Sequence, residues 1–178
     1  MNHVFRMANP IVVPDGSIVN GFLNSMDNTS GVDFGLVESL SIAGGLLAPG
    51  VRSKLQILPL VTQVTFVRRG QLTVKMKDRR VTHHYTLHLA QNQAALTKPG
   101  TFLQLLNESD ETCEVLYIVT PSYVFEFEEG KVIYDDSVVF DESWEVIETR
   151  GWVPSKPYAT SGDREAAIAR LRRKSQSR

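Results

Sequence analysis

Through the middle of the chain, apolar and polar residues alternate with a period of two, the spacing that sends successive side chains to opposite faces of a half-buried strand. Residues 61–67 (VTQVTFV) and 71–76 (QLTVKM) read as two strands joined through Arg68-Arg69-Gly70, and Lys77-Asp78-Arg79-Arg80 reads as a polar hairpin tip. Further strands are predicted over 84–89, 94–97, 102–106, 114–120 and 123–127, with Gln91-Asn92-Gln93, Lys98-Pro99-Gly100 and the run 107–110 as breakers. Short strands at intervals of roughly 8–12 residues predict an all-β sandwich or barrel. Residues 40–47 (LSIAGGLL) add a strand in which Gly44-Gly45 signals a bulge or a close backbone approach.

The two ends follow other patterns. Residues 1–34 mix short apolar pieces (Ile11-Val12-Val13, Ile18-Val19) with a turn-rich cluster from Asn24 to Gly31, which predicts an N-terminal arm with short strands. At the other end, Thr160-Ser161-Gly162-Asp163 forms a capping signal ahead of residues 164–174, where Ala167, Ile168 and Leu171 share one side. That apolar stripe is too thin to hold a helix unsupported, so the helix docks on the barrel or frays.

One domain fits 178 residues, and 42% hydrophobic with 22% charged residues excludes a disordered or collagen-like chain. The net charge of −1 hides large opposite terms. Residues 1–107 hold ten Lys/Arg against five Asp/Glu, residues 108–149 hold one against thirteen, and residues 150–178 hold eight against two. So acidic a segment disfavours nucleic acid as a partner. Either the basic tail clasps the acidic face, or the face is a solvated surface and the tail a frayed end. No signal-like or membrane-spanning apolar run occurs, and the lone Cys113 can build neither an intramolecular disulfide nor a cysteine-rich zinc site, so the expectation is a cytoplasmic protein without membrane contact.

Two stretches carry more specific spacing. Gly50 and Gly70 bracket a first stretch in which Gln56, Leu58-Pro59 and Gln63 occupy fixed offsets; Pro99, Gly100, Leu103 and Asn107 mark a second. Together, from Leu47 to Pro121, they resemble the two motifs of the cupin superfamily. The resemblance implies a double-stranded β-helix, a jelly-roll barrel, over residues 35–130, with the N-terminal arm (1–34) before it and a C-terminal extension (131–178) ending in the short basic helix. It also implies a metal held by three imidazoles and one carboxylate, but the matched positions here are Gln56, Leu58, Gln63 and Leu103. Leucine donates no lone pair and a neutral amide is a poor substitute for an anionic carboxylate, so no metal and no other cofactor is expected. The other histidines offer no replacement: His84 and His88 lie about 13 Å apart along a strand, His83 faces the opposite way, and His3 is expected to be disordered.

With the alternation applied to that barrel, Gln56, Leu58, Gln63, Thr65, Leu103, Leu105 and Tyr117 line the interior, joined by Val67 and Val119. Such a lining suits a small, mostly apolar or aromatic molecule held by one or two amide contacts. Two alternatives stay open: a metal-independent isomerase, cyclase or dehydratase of a biosynthetic pathway, with Tyr117 as its candidate acid/base residue, and a structural or oligomerising domain whose interior is filled. Whether the chain is an enzyme is therefore undecided by sequence, and a homodimer is the expected assembly. The carboxylates of 126–148, Glu126, Asp135 and Asp136 among them, are expected mostly at the solvent surface.

Overall fold

The alternating stretch folds as its period demands. The structure, a computed structural model, describes residues 9–24, 39–78, 80–149 and 160–176. The turn cluster after Asn24, His3 and Arg79 of the hairpin tip lie outside the described residues. Chain order gives β1 (Ile11–Val12), β2 (Ile18–Asn24), β3 (Ser41–Leu47), β4 (Leu55–Ile57), β5 (Thr62–Arg69), β6 (Gln71–Lys77), β7 (Tyr85–Ala90), β8 (Ala94–Thr97), β9 (Phe102–Leu106), β10 (Cys113–Thr120), β11 (Phe125–Glu128), β12 (Lys131–Asp135) and β13 (Val138–Phe140), then α1 (Trp144–Thr149) and α2 (Ser161–Gln176).

Two antiparallel sheets face each other. The first has the order β1-β2-β3-β10-β5-β8, the second β13-β4-β9-β6-β7, and β11 pairs with β12 in a separate hairpin. The sequence pattern places strands at β3 and at β5 to β11. Sheet membership runs past residues 35–130 on both sides, because β2 pairs with β3 and β13 pairs with β4. The first sheet keeps strict alternation: on β5 and β10 every second residue is buried, and Val67, Val115, Thr65 and Tyr117 face the second sheet. Across the gap, Leu72, Val74, Met76, Leu103 and Leu105 close a shared apolar core with Val67 and Val115.

In the second sheet β4 and β9 are buried on both faces, whereas the edge strand β7 is exposed. Leu55, Ile57 and Phe102 point away from the barrel into a cluster with Phe140, Trp144 and Ile147, so α1 serves as a lid over that outer face. The indole N–H of Trp144 donates to Gln104 Oε1 at 2.8 Å, and His84 stacks on the same ring at 4.7 Å between centroids. Alternation alone gave no hint of this helix, which is only six residues long and owes its stability to the cluster beneath it.

Two glycines show why the spacing matters. Gly70 turns β5 into β6 at φ 81°, where a Cβ would also stand 3.0 Å from the carbonyl of Thr112. Gly45, on β3, is a close approach without a bulge: the ring of Tyr117 lies over it. The ends of the two motif stretches also meet, since Gly50 N–H donates to Asn107 O and Asn107 N–H donates to Val51 O, both at 2.9 Å. The buried amide of Asn107 then donates to the carbonyls of Leu47 and Glu111, tying the loop after β9 to the end of β3.

The acidic segment and the basic tail form an intramolecular clasp. Thr160 caps α2 through reciprocal bonds with Asp163, as its sequence pattern predicts. Ala167, Ile168 and Leu171 then dock on Val124 and Tyr134. Arg164 pairs with Asp136 at 3.0 Å, Arg170 and Lys174 both pair with Glu126, and Lys174 also reaches Glu128. The expectation of solvent-facing carboxylates therefore fails for Glu126 and Asp136, each 1% exposed. Two acids can be buried here because cations of α2, which pattern reading along the acidic segment cannot supply, come to meet them.

Candidate functional site

The barrel interior divides into an apolar half and a polar half. On the first sheet the rows Gly45–Val115–Val67 and Leu47–Cys113 are apolar, whereas Ala43–Tyr117–Thr65–Ala95 and Ser41–Val119–Gln63–Thr97 carry hydroxyls and an amide. Opposite them on the second sheet, Gln56 and Leu103 are paired neighbours on β4 and β9. All seven sequence-predicted lining residues are buried, at 8% exposure or less: Gln56, Leu58, Gln63, Thr65, Leu103, Leu105 and Tyr117. Two details fix their placement. Tyr117 and Val119 sit beside Thr65 and Gln63 on the adjacent strand. Leu58 lies just past β4 in a small cluster with Val61, Val119 and Tyr123.

Hydrogen bonding in the polar half is uneven. Gln63 donates to Thr65 Oγ1 at 3.1 Å. The amide of Gln56 is engaged at both ends, donating to Asp15 Oδ2 at 2.8 Å and accepting from Ser137 Oγ at 2.6 Å. By contrast, the hydroxyls of Tyr117 and Thr97 are buried without a hydrogen-bond partner among the described residues. An unpaired buried hydroxyl costs on the order of 1–3 kcal/mol, so two in one interior call for an explanation.

The structure brings a group of residues to this end that sequence reading missed. The turn Pro14-Asp15-Gly16-Ser17 inserts Asp15 between the sheets, where its carboxylate accepts from Ser17 N–H and Oγ–H, each at 2.9 Å, as well as from Gln56. Its backbone carbonyl accepts from Lys54 N–H at 2.8 Å, which joins the N-terminal arm to the second sheet. Burial raises the carboxyl of Asp15 above its ordinary range, and the three donors only partly offset that. Next to this chain, Asp135 accepts from Tyr123 Oη and from Ser137 N–H, and burial pushes it up to about 6. The hydroxyl of Tyr117 is raised well beyond its usual range by burial and by the negative charge of Asp15, so it stays a protonated donor at any physiological pH. The signal for Asp15 was the Pro-Asp-Gly turn; for Asp135 and Tyr123 the sequence carried none beyond a crowd of similar acids.

The metal that the fold family implies does not fit these residues. Gln56 has spent its amide on Asp15 and Ser137, Leu58 and Leu103 offer no donor atom, and Gln63 is a neutral amide bonded to Thr65. No group of three or more His, Cys, Asp or Glu side chains that could hold a metal ion occurs among the described residues. His84 is bound to Glu148, while His88 meets Thr73 at a shallow outer cleft of about 160 Å³ that Gln71, Glu108 and Ser109 complete. Cys113 is buried and its thiol is pushed up to about 11 by burial, which leaves it an inert core residue.

No family model matches the chain, and no curated protein matches it either. Solved structures do. An oxalate decarboxylase of Lactobacillus farciminis, solved as a formate complex, superposes with a TM-score of 0.54 at 14% identity, over 74% of this chain and 33% of that one. CapF, solved with an inhibitor, gives 0.53 at 10% identity, over 79% of this chain and 35% of that one. CENP-C of Drosophila melanogaster, solved bound to CAL1, gives 0.50 at 12% identity, over 62% of this chain and 78% of that one. The chain thus spans about a third of the length of the first two. The fold is the cupin double-stranded β-helix, and the motif resemblance read from sequence rests on that architecture. No described helix is long and apolar enough to cross a membrane.

Proposed function

We propose that this cupin-fold protein binds a small, mostly apolar or aromatic molecule in the polar half of its barrel, without a metal. The unpartnered hydroxyls of Tyr117 and Thr97 carry the reading: both are buried, both stand on the inner face of one sheet, and each leaves a hydrogen bond for a guest to make. A cytoplasmic setting agrees with a lone, buried, unreactive cysteine. Thermal-shift screening of the full chain against uncharged metabolites tests the proposal through mass-action stabilisation of the folded state. The expected result is a saturable rise in melting temperature that Tyr117→Phe reduces. A full screen without any shift would remove the reading.

A second reading, assembly as a homodimer, has its own observation. The outer face of the first sheet is apolar across five strands, through Ile18, Leu46, Leu116, Phe66, Ile118 and Leu96, and Ile18, Leu46 and Leu96 are 44%, 49% and 55% exposed. Five strands spaced about 4.8 Å apart and about 20 Å long offer on the order of 500 Å² of flat area, close to what one partner of a standard interface buries once side-chain relief is counted. A second copy fits best, because an apolar face edged by the Glu114 carboxylate and the Arg68 and Arg69 guanidiniums carries both signs of charge and is complementary to itself under a two-fold axis. Light scattering of the wild type and of Leu46→Asp/Leu96→Asp is the check. A dimer converted to a monomer supports the interface, and a wild-type monomer at all concentrations rules it out.

A further inference from the structure

The outer face of the second sheet, covered by α1 at one end, carries a polar cleft at the other. Leu72, Val74 and Met76 of β6 face the core, so Thr73 between them points outward, with His88 of β7 and Leu106 of β9 on either side. Gln71, Thr73, His88, Glu108 and Ser109 line about 160 Å³ there. We propose that this cleft binds a primary ammonium group, with the Glu108 carboxylate as counter-ion and the imidazole of His88 as a neutral acceptor. The cleft and the barrel interior lie on opposite faces of the sheet, so this site stands or falls independently of the reading above.

The direction of the hydrogen bonds turns the walls into acceptors. Thr73, 7% exposed, has a single hydroxyl hydrogen and donates it to Glu108 Oε2 at 2.7 Å. Its contact with His88 Nδ1 at 3.2 Å then needs the ring to donate, which assigns the neutral tautomer with Nδ1–H and leaves Nε2 a bare lone pair. Ser109 spends its own hydroxyl hydrogen within the loop, on Asn107 Oδ1 at 2.7 Å. Glu108, His88 and Ser109 therefore all offer acceptors to a guest.

Charge selects the kind of donor. No Lys or Arg is among the lining residues to offset Glu108, and Lys75, one pleat further along β6, stands between Thr86 and Gln104 instead. A primary ammonium brings three N–H donors and one positive charge. A zinc ion would find only two ordinary ligands among the five residues, His88 and Glu108, where it takes three or four.

The acceptors are held in place before any guest arrives. Asn107, 1% exposed, donates to the carbonyls of Leu47 and Glu111 and accepts from Ser109, which fixes the loop that carries Glu108. One hydroxyl, that of Thr73, orients both His88 and Glu108. Such preorganisation reduces the ordering cost of binding. Because His88 and Glu108 are themselves exposed, solvent screening keeps the expected affinity in the millimolar range.

Nuclear magnetic resonance titration of the full-length chain at pH 8 reads the imidazole signals of His88, assigned through His88→Gln. Ethylammonium and the lysine side chain of Nα-acetyl-lysine methylamide are the probes, and tetramethylammonium, with the same charge and no N–H, is the control at equal ionic strength. The expected result is a saturable shift with ethylammonium, none with tetramethylammonium, and binding weakened about fivefold or more by Glu108→Gln, an exposed position whose change spares the fold. Thr73→Val should also weaken binding and move the ring from the Nδ1–H to the Nε2–H tautomer, seen in its nitrogen shifts. Binding of the lysine derivative as well would point to a protein side chain as the source of the ammonium; binding of ethylammonium alone would point to a free amine. Equal shifts with tetramethylammonium, unchanged binding in Glu108→Gln, or an Nε2–H tautomer in the wild type overturns the site. Absence of any shift with the ammonium probes overturns it too, and leaves the barrel reading untouched.

Discussion

The ring of Tyr117 lies across the backbone of Gly45 on the neighbouring strand, so closely that a methyl group added to Gly45 would stand 2.5 Å from Tyr117 Cε2 and 2.9 Å from Val115 Cγ2. Gly45→Ala is therefore expected to push Tyr117 off its position and to cost about 1–3 kcal/mol, the usual range for overpacking a close-packed core. Urea denaturation measures the loss. Pairing the substitution with Tyr117→Leu should recover part of it, and additivity of the two changes would deny that the clash is with Tyr117.

The clasp on α2 offers a second test. Asp136 is fully buried, Arg164 is 14% exposed, and their bond is continued by Val124 N–H and Tyr134 Oη, which both donate to the same carboxylate. Arg164→Met leaves a buried carboxylate without its cation and is expected to destabilise by about 3 kcal/mol. Adding Asp136→Asn should return a substantial part of that in a double-mutant cycle. Equal losses from the single and double variants would mean that the pair contributes nothing.

Asp135 determines the sign of one pH effect. Its carboxyl is raised from 3.8 to about 6, chiefly by burial, so between about pH 4 and pH 6 the folded chain holds a proton that the unfolded chain has released. Its contribution to stability therefore falls as pH rises through that window. Asp135→Asn is expected to gain stability relative to wild type from pH 4 to pH 6.5 in paired thermal melts; a constant difference across that range would disprove the assignment.

Glu148 acts in the opposite direction. It accepts from His84 N–H at 2.6 Å and from the ring of His84 at 2.7 Å, and these bonds, the backbone one first, lower its carboxyl to about 2. The stabilisation is fully present above about pH 4.5 and is lost as pH falls towards 2. Glu148→Gln should therefore be less stable than wild type at pH 6 and equal to it near pH 2, with the near-ultraviolet signal of Trp144, stacked on His84, reporting the same change.

Metal independence has a direct check. By motif spacing Gln56, Leu58, Gln63 and Leu103 match the ligand positions of the family the sequence resembles, and none is an anionic or imidazole donor. Elemental analysis of purified protein should give well under one transition metal per chain, and chelation should leave the melting temperature unchanged. About one iron, zinc or manganese per chain would overturn the reading.

Much of the barrel was legible because a strand's side chains have a period of two that survives in the sequence. The inward faces of β5, β9 and β10 follow from counting, and Gln63, Thr65, Leu103, Leu105 and Tyr117 fall where counting puts them. Capping of α2 was legible for a similar reason: Thr160 and Asp163 are three residues apart, and a cap is a local bond. Asp15 was not legible. Its role depends on Gln56, forty-one positions away, and nothing local distinguishes a turn aspartate in solvent from one inserted between two sheets. The same holds for Glu126 and Asp136, whose burial is tolerated only because Arg170, Lys174 and Arg164 arrive from the far end of the chain.

The sequence by itself determined the class of fold and the faces of the central strands, since each depends on residue identity and short-range spacing. Only the tertiary structure decided which polar groups go unpaired inside the barrel, that Asp15 bonds to Gln56 between the sheets, and that tail and acidic segment close on each other within one chain. Hydrogen bonds and charge pairs are satisfied by whatever approaches within about 3–4 Å, and that proximity is a property of the folded chain rather than of its order.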